Sequence, residues 1–270
     1  MRKKSWRPGT EQLESRALMA VFSVTSTATA GPGTLRAAIN QANQSPGADV
    51  IDFRFEGEAV IRVGSQALPP ITGRVVIDGY THPGAARNTS TDPAVNNAVL
   101  PVQIVGNNGP AVLTVNPRGG GSQIRGLTIL NEGGGASAGV EINQADQVTL
   151  DGNAFGALGQ ARLSTAVRIV GGSRNTVGGD AAADPALQNV MRTYTTGVEL
   201  VGPSRHNAVA GNIIGGPTYE TRAPLQVVGV WLRPAASNNT IIKNHLFKNA
   251  TAIRNEGVGN VVEDNTIVPA

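Results

Sequence analysis

Apolar and polar residues alternate with a period of two in short bursts along this chain. The clearest bursts are a small residue followed by apolar, any, apolar: Ala111-Val-Leu-Thr, Gly139-Val-Glu-Ile, Ala166-Val-Arg-Ile, Gly197-Val-Glu-Leu, Gly229-Val-Trp-Leu and Ala252-Ile-Arg-Asn. Their small residues are 28, 27, 31, 32 and 23 apart. Alternation over so few residues, rich in β-branched side chains, predicts strands and not helices. Val140/Ile142, Val167/Ile169, Val198/Leu200 and Val230/Leu232 then face one way, and Glu141, Arg168, Glu199, Trp231 and Arg254 the other. A second burst has the form Asn-x-[Val/Ile]-x-x-Asn. It occurs at Asn207–Asn212, Asn239–Asn244 and Asn260–Asn265, with a weaker copy at Asn175–Asp180. A constant motif separated by variable gaps is a repeat with loop insertions. Two or three short strands in each period of about 21 to 32 residues leave no room for a long helix, and predict a parallel β-helix coil of roughly eight turns.

The asparagines then acquire a physical role. Coils stack about 4.8 Å apart, a spacing at which identical amides hydrogen-bond to one another. Asn175, Asn207, Asn239 and Asn260 form one expected ladder. Asn153, Asn212, Asn244 and Asn265 form a second, with Asp180 in its column. The outward column of alternating charge reads as a surface ion-pair ladder, each pair contributing little.

Upstream, Thr34-Leu-Arg-Ala-Ala-Ile39 reads as a short amphipathic helix over Thr34–Asn43, with Thr34 as N-cap and Leu35, Ala38, Ile39 and Ala42 as its apolar stripe. It would cover the first coil, whose strand edges otherwise invite aggregation. Asp49–Phe55, Ala59–Val63 and Arg74–Asp78 are the first strands. Val24–Asn43 followed by Pro46-Gly-Ala-Asp-Val-Ile-Asp-Phe53 resembles the opening module of bacterial right-handed parallel β-helix proteins, and Asp78-Gly-Tyr-Thr-His-Pro-Gly84 resembles a turn common in that family. The resemblance implies an all-β, single-stranded, right-handed parallel β-helix, a pectin-lyase-like solenoid with a short N-terminal capping helix. Residues 22–56 would be the cap and 57–270 the coils. Residues 1–21 form a basic leader, in which Glu11-Gln12-Leu13-Glu14-Ser15-Arg16-Ala17-Leu18-Met19 resembles the Leu-Glu-x-Arg-x-Leu leader of planctomycete surface and secreted proteins. That likeness implies export to the cell envelope or the exterior. A plain basic tail is the other reading.

The net charge of +3 resides in that leader: residues 1–20 hold five Arg/Lys against two Asp/Glu, and the remainder holds 17 of each. A neutral body argues against nucleic acid as partner. No apolar run of about 18 residues suggests a membrane span. The absence of cysteine excludes thiol and disulfide chemistry.

Catalytic chemistry is hard to find. Asp151 and Glu263 share a column but stand several coils apart, beyond the roughly 5 to 10 Å that paired glycosidase carboxylates need. Glu141 and Glu199 are separated by Arg168. No Asp-Asp pair is legible, and no cluster of acidic columns supplies the six to eight oxygens that calcium takes. His82, His206 and His245 fall at expected turns and corners. No metal and no cofactor is implied. The longest excursions, Asp180–Thr196 and Gly215–Val228, are expected to leave consecutive coils at the same corner and to wall the outward column. They carry Arg192, Tyr194, Tyr219, Glu220 and Arg222 beside Glu199 and Trp231. An aromatic flanked by Arg and Glu can stack on a sugar and bond its hydroxyls; the other reading is that these aromatics pack the loops down. The expected function is an exported, non-catalytic surface protein, structural or adhesive, that meets a polysaccharide or an envelope component. The alternative is a polysaccharide lyase or glycoside hydrolase acting on an acidic polysaccharide.

Overall fold

The computed structural model describes residues 19–57, 59–107, 109–132, 138–156, 163–192, 195–216 and 226–269, Gln226 by its backbone alone. The first elements among the described residues are β1 (Val21–Val24), α1 (Leu35–Gln44), β2 (Asp49–Phe53) and β3 (Ala59–Arg62). The chain then repeats one sequence of three strands. The first set is β4 (Val75–Asp78), β5 (Val102–Gly106) and β6 (Ala111–Val115). The second is β7 (Gln123–Arg125), β8 (Thr128–Asn131) and β9 (Ala138–Asn143). The third is β10 (Thr149–Asp151), β11 (Ala154–Phe155) and β12 (Thr165–Val170). The fourth is β13 (Thr176–Gly178), β14 (Val190–Met191) and β15 (Thr196–Val201). The fifth is β16 (Ala208–Ala210), β17 (Ile213–Gly215) and β18 (Gln226–Leu232), and the sixth β19 (Thr240–Ile242), β20 (His245–Phe247) and β21 (Asn249–Asn255). The last strands are β22 (Val261–Glu263) and β23 (Thr266–Val268).

These strands form three parallel sheets. Sheet I runs β1-β2-β4-β7-β10-β13-β16-β19-β22, sheet II β3-β5-β8-β11-β14-β17-β20-β23, and sheet III β6-β9-β12-β15-β18-β21. The protein is therefore mostly β, and each circuit of the chain visits the three sheets in turn.

The expected register holds. Val140, Val167, Val198 and Val230 are paired in succession, as are Ile142, Ile169, Leu200 and Leu232, and all are fully buried. Each such side chain contributes about 1.5–3 kcal/mol by leaving water. The polar partners Glu141, Arg168, Glu199, Trp231 and Arg254 lie side by side on the opposite surface of sheet III. Helix α1 begins where Thr34 caps it, the hydroxyl accepting from Ala37 N at 3.2 Å. Its stripe Leu35, Ala38, Ile39 and Ala42 is buried, and it packs on β1 and β2.

Both asparagine ladders are present and run in one direction. Asn175, Asn207 and Asn239 each donate Nδ2 to the Oδ1 of the asparagine one circuit on, at 3.0 Å, ending on Asn260. The same oxygens accept the backbone N–H of the asparagine one circuit back. Each buried amide is thereby satisfied on both sides, which removes the penalty of an unpaired polar group in the interior. The second ladder differs from expectation at one rung. Asp180 is not in the column; it is exposed, and its carboxylate meets Lys243 Nζ at 3.1 Å. Asn189 occupies the place instead, accepting from Asn153 Nδ2 at 3.2 Å and donating to Asn212 Oδ1 at 2.9 Å. Asn212, Asn244 and Asn265 continue the ladder at 2.9 Å. The physical reason is a detour: after β13 the chain leaves the sheet, turns through 180–188, and returns with Asn189 in register.

Candidate functional site

The outward surface of sheet III, which carries the expected contacts Glu199 and Trp231, is closed upon itself. Glu199 accepts from Arg168 Nε at 3.1 Å on one side and from Arg233 Nη2 at 2.6 Å on the other. Arg168 also reaches Glu141 at 3.4 Å. This network buries Glu199 although it points away from the core. The Trp231 ring carries two guanidiniums, Arg233 at 3.2 Å and Arg254 at 4.5 Å from its centroid, and its Nε1 donates to Glu256 at 3.0 Å. That bond and the Arg254 pair hold the Glu256 carboxyl below its ordinary range. The ring surface suited to sugar stacking is thus occupied by Arg233, an arrangement of cation–π type.

The wall expected from the two insertions falls largely outside the described residues, which omit 193–194 and 217–225. Asp180–Thr196 is not one excursion: it contains β14. Its first part, 180–188, leaves between sheets I and II, whereas Gly215–Val228 connects sheet II to sheet III. Tyr194, Tyr219, Glu220 and Arg222 lie outside the described residues. The true neighbour of the 180–188 segment is the long connection between β4 and β5. Gln188, almost fully buried, ties them together: its Nε2 donates to Pro93 O at 2.7 Å, and its Oε1 accepts from Asn96 at 3.2 Å and Asn88 at 3.3 Å. Asn88 also donates to Pro185 O.

This clasp raises a wall along sheet II and creates a groove of about 310 Å³, at the lower end of the range for small-molecule sites. The floor is the outward row Thr128, Ala154, Val190 and Ile213, in register across β8, β11, β14 and β17, with Phe247 at the end of β20. The wall is Ala94–Asn96, Ala98 and Leu100. Val190 and Ile213 are buried although they face outward, because the wall covers them. His245 stacks on Phe247 with centroids 6.3 Å apart. Burial lowers the His245 pKa, with Asp92 on the wall acting in the opposite direction.

Arg192 lines this groove. Of the expected contact residues that the structure describes, Arg192 is placed in this groove, and Glu199 and Trp231 are not. Arg192 follows Met191, which pairs with Phe155 and Ile214. Arg192 thus stands between Gly156 and Gly215, neither of which has a side chain to crowd it. Its Nε is buried and makes no hydrogen bond.

Carboxylates do assemble on the outward surface of sheet I, contrary to the reading that no pair exists. Asp52 and Asp78 are direct neighbours across β2 and β4, and Arg125 separates Asp78 from Asp151. Arg125 Nη2 meets Asp78 at 2.6 Å, and Gln123 donates to Asp151 at 2.8 Å. Tyr80 lies over the column, its hydroxyl donating to Gly152 O at 3.0 Å with Arg87 4.7 Å above its ring. Asp52, Asp78 and Asp151 are all buried. Burial raises the Asp151 carboxyl above its ordinary range, opposed by Gln123 and the arginines. Burial likewise pushes the Tyr80 phenol up to about 12. The sequence hid this cluster because its members are 26 to 47 positions apart and meet only through the register. Among the described residues, no group of three His, Cys, Asp or Glu is arranged to hold a metal.

The histidines follow expectation in part. His206 is a turn residue, at φ 55°, and His82 opens a turn closed by Ala85 N–H donating to His82 O at 3.0 Å. His82 is buried beside Phe55, with ring centroids 5.5 Å apart, and His245 lies within β20. No helix among the described residues is long and apolar enough to cross a membrane. No protein-family model and no curated protein matches the chain.

Proposed function

We propose that this protein is an exported, non-catalytic surface protein built as a right-handed parallel β-helix, a structural or adhesive module that contacts carbohydrate. The rotation of the chain through three parallel sheets, with α1 over the first strands, supports the solenoid reading. The resemblance of residues 11–19 to the planctomycete leader supports export to the envelope or the exterior.

One observation carries the binding reading: the walled groove on sheet II, with an apolar floor that ends at Phe247 and with Arg192, whose buried Nε has no partner among the described residues. An apolar lining with a few placed polar groups is what a site for a small ring requires. The test is a polysaccharide panel assayed for saturable binding and for new reducing ends or unsaturated products. Binding without turnover, weakened by Phe247→Ala, is expected. Absence of binding to every glycan would leave a structural role alone. Cell fractionation of the full chain against one lacking residues 1–20 tests export; equal cytoplasmic retention of both would refute it.

The column Asp78–Arg125–Asp151 favours a second reading, a polysaccharide hydrolase or lyase. Two steps at the strand spacing separate Asp78 from Asp151, about 10 Å, close to the separation of an inverting pair. The covering of Asp151 by Tyr80 speaks against it, since the carboxyl has no path to a substrate. Turnover of any polysaccharide, abolished by Asp151→Asn, would establish the enzyme.

A further inference from the structure

Arg192 differs from the arginines of the neighbouring surfaces in that its buried Nε has no partner among the described residues. Arg168, Arg233, Arg125 and Arg254 each meet a carboxylate. Arg36 donates to four carbonyls. Arg192 is half-buried, and its Nε is shielded from water without a partner among the described residues. A cationic donor removed from water and left unpaired is a standing cost. Arg118, Arg174 and Arg205 also meet no carboxylate among the described residues, but they are exposed to water, whereas Arg192 is half-buried at the end of a walled groove.

We propose that Arg192 makes the sheet II groove selective for an anionic sugar, one bearing a carboxylate or a sulfate ester. This rests on the carbohydrate reading of the groove. The guanidinium presents its N–H donors as a planar fork that matches two oxygens of such a group, a geometry unavailable to neutral hydroxyls. The remainder of the ring lies on the apolar row Val190, Ile213 and Phe247, which takes its C–H surface. Gly156 and Gly215 leave the oxygens room to reach the fork from either side. Asn96 on the wall is committed to Gln188, so the charged contact falls to Arg192.

The experiment measures binding of the full chain by calorimetry to three glycans of matched length: dextran, polygalacturonate and dextran sulfate, at 0.15 M NaCl. Binding at least tenfold tighter to one or both anionic glycans than to dextran is expected, and the tighter of the two names the group as carboxylate or sulfate. Arg192→Gln should reduce that binding to the dextran level with the melting temperature unchanged. Arg254→Gln, on the exposed surface of sheet III, controls for diffuse attraction and should leave binding intact. Equal weakening by both substitutions would overturn the proposal, because the affinity would then come from overall charge. Equal affinity for dextran and the anionic glycans would overturn the anionic selectivity and leave the carbohydrate reading standing. Failure to bind any of the three, and any glycan of the wider panel, would overturn the carbohydrate reading itself and this inference with it.

Discussion

Sheets II and III each present an arginine on their outward surface, and treat it in opposite ways. Arg168 on sheet III is held between Glu141 and Glu199 in the neighbouring circuits. Arg192 on sheet II stands between two glycines under a wall of foreign chain. Parallel stacking repeats an environment every circuit, so a charge on such a surface meets whatever occupies the same column one strand away. Where the column alternates sign, the charges satisfy one another and the surface is finished. Where the column is small and apolar, a single cation remains available. A row of charged and aromatic residues is therefore weaker evidence of a binding site than one unpaired charge inside a cavity.

The largest effect is expected from neither surface but from the interior that holds both. Asn212→Ala removes the acceptor of Asn189 Nδ2 and the donor to Val177 O, both buried. At 1–3 kcal/mol for each stranded group, urea denaturation should show a loss of about 3 kcal/mol. Asn265→Ala, at the partly exposed last rung, should cost under about 1 kcal/mol. Equal losses at the two positions would show that burial of the ladder does not set its contribution.

On sheet III, Glu199→Gln leaves Arg168 and Arg233 without their shared anion. The expected cost is about 1–2 kcal/mol, above that of an ordinary surface pair because Glu199 is buried. On sheet II, Arg192→Gln should leave stability unchanged while reducing glycan binding. A destabilisation by Arg192→Gln as large as that of Glu199→Gln would erase the contrast between the sheets.

Asp151 offers a sharper, smaller test. Burial raises its folded-state pKa above the unfolded value. As pH rises above about 4, the unfolded chain releases this proton first, so the folded state is progressively disfavoured across the window between the two pKa values. Asp151→Asn keeps an acceptor for Gln123 and removes that term. The stability difference, variant minus parent, should therefore grow with pH over this window and level off above it. A constant difference would mean that the carboxyl titrates alike in both states. The smallest effect is expected at the exposed Asp180–Lys243 pair, where Lys243→Ala should leave denaturation midpoints unchanged within error.

Much of the framework was legible. The period-two bursts located β9, β12, β15, β18 and β21, and Thr34 located the start of α1, because these depend on local spacing and capping. The asparagine motif placed eight of nine ladder rungs. The ninth, Asn189, was missed because a detour of nine residues separates it from its motif. Asn189-Val190-Met191 nonetheless has the same form as Asn212-Ile213-Ile214, and that likeness would have found it. The site was less legible. Trp231 and Glu199 were chosen for their chemistry, which the register had already committed to Arg233 and Arg168. The wall over sheet II comes from the connection between β4 and β5, whose polar, proline-containing sequence carries no period.

What the sequence determined by itself is what repeats: the strands, their inward and outward positions, and the stacked amides. A repeat states its own neighbours, since each residue lies against its counterpart one circuit away. What only the tertiary structure decided is what does not repeat. Gln188 clasping Asn88 and Asn96, Tyr80 sealing Asp151, and the cavity around Arg192 all join segments some 70 to 100 positions apart. No local periodicity encodes such meetings, because they depend on where an excursion folds back over a surface that other circuits have built.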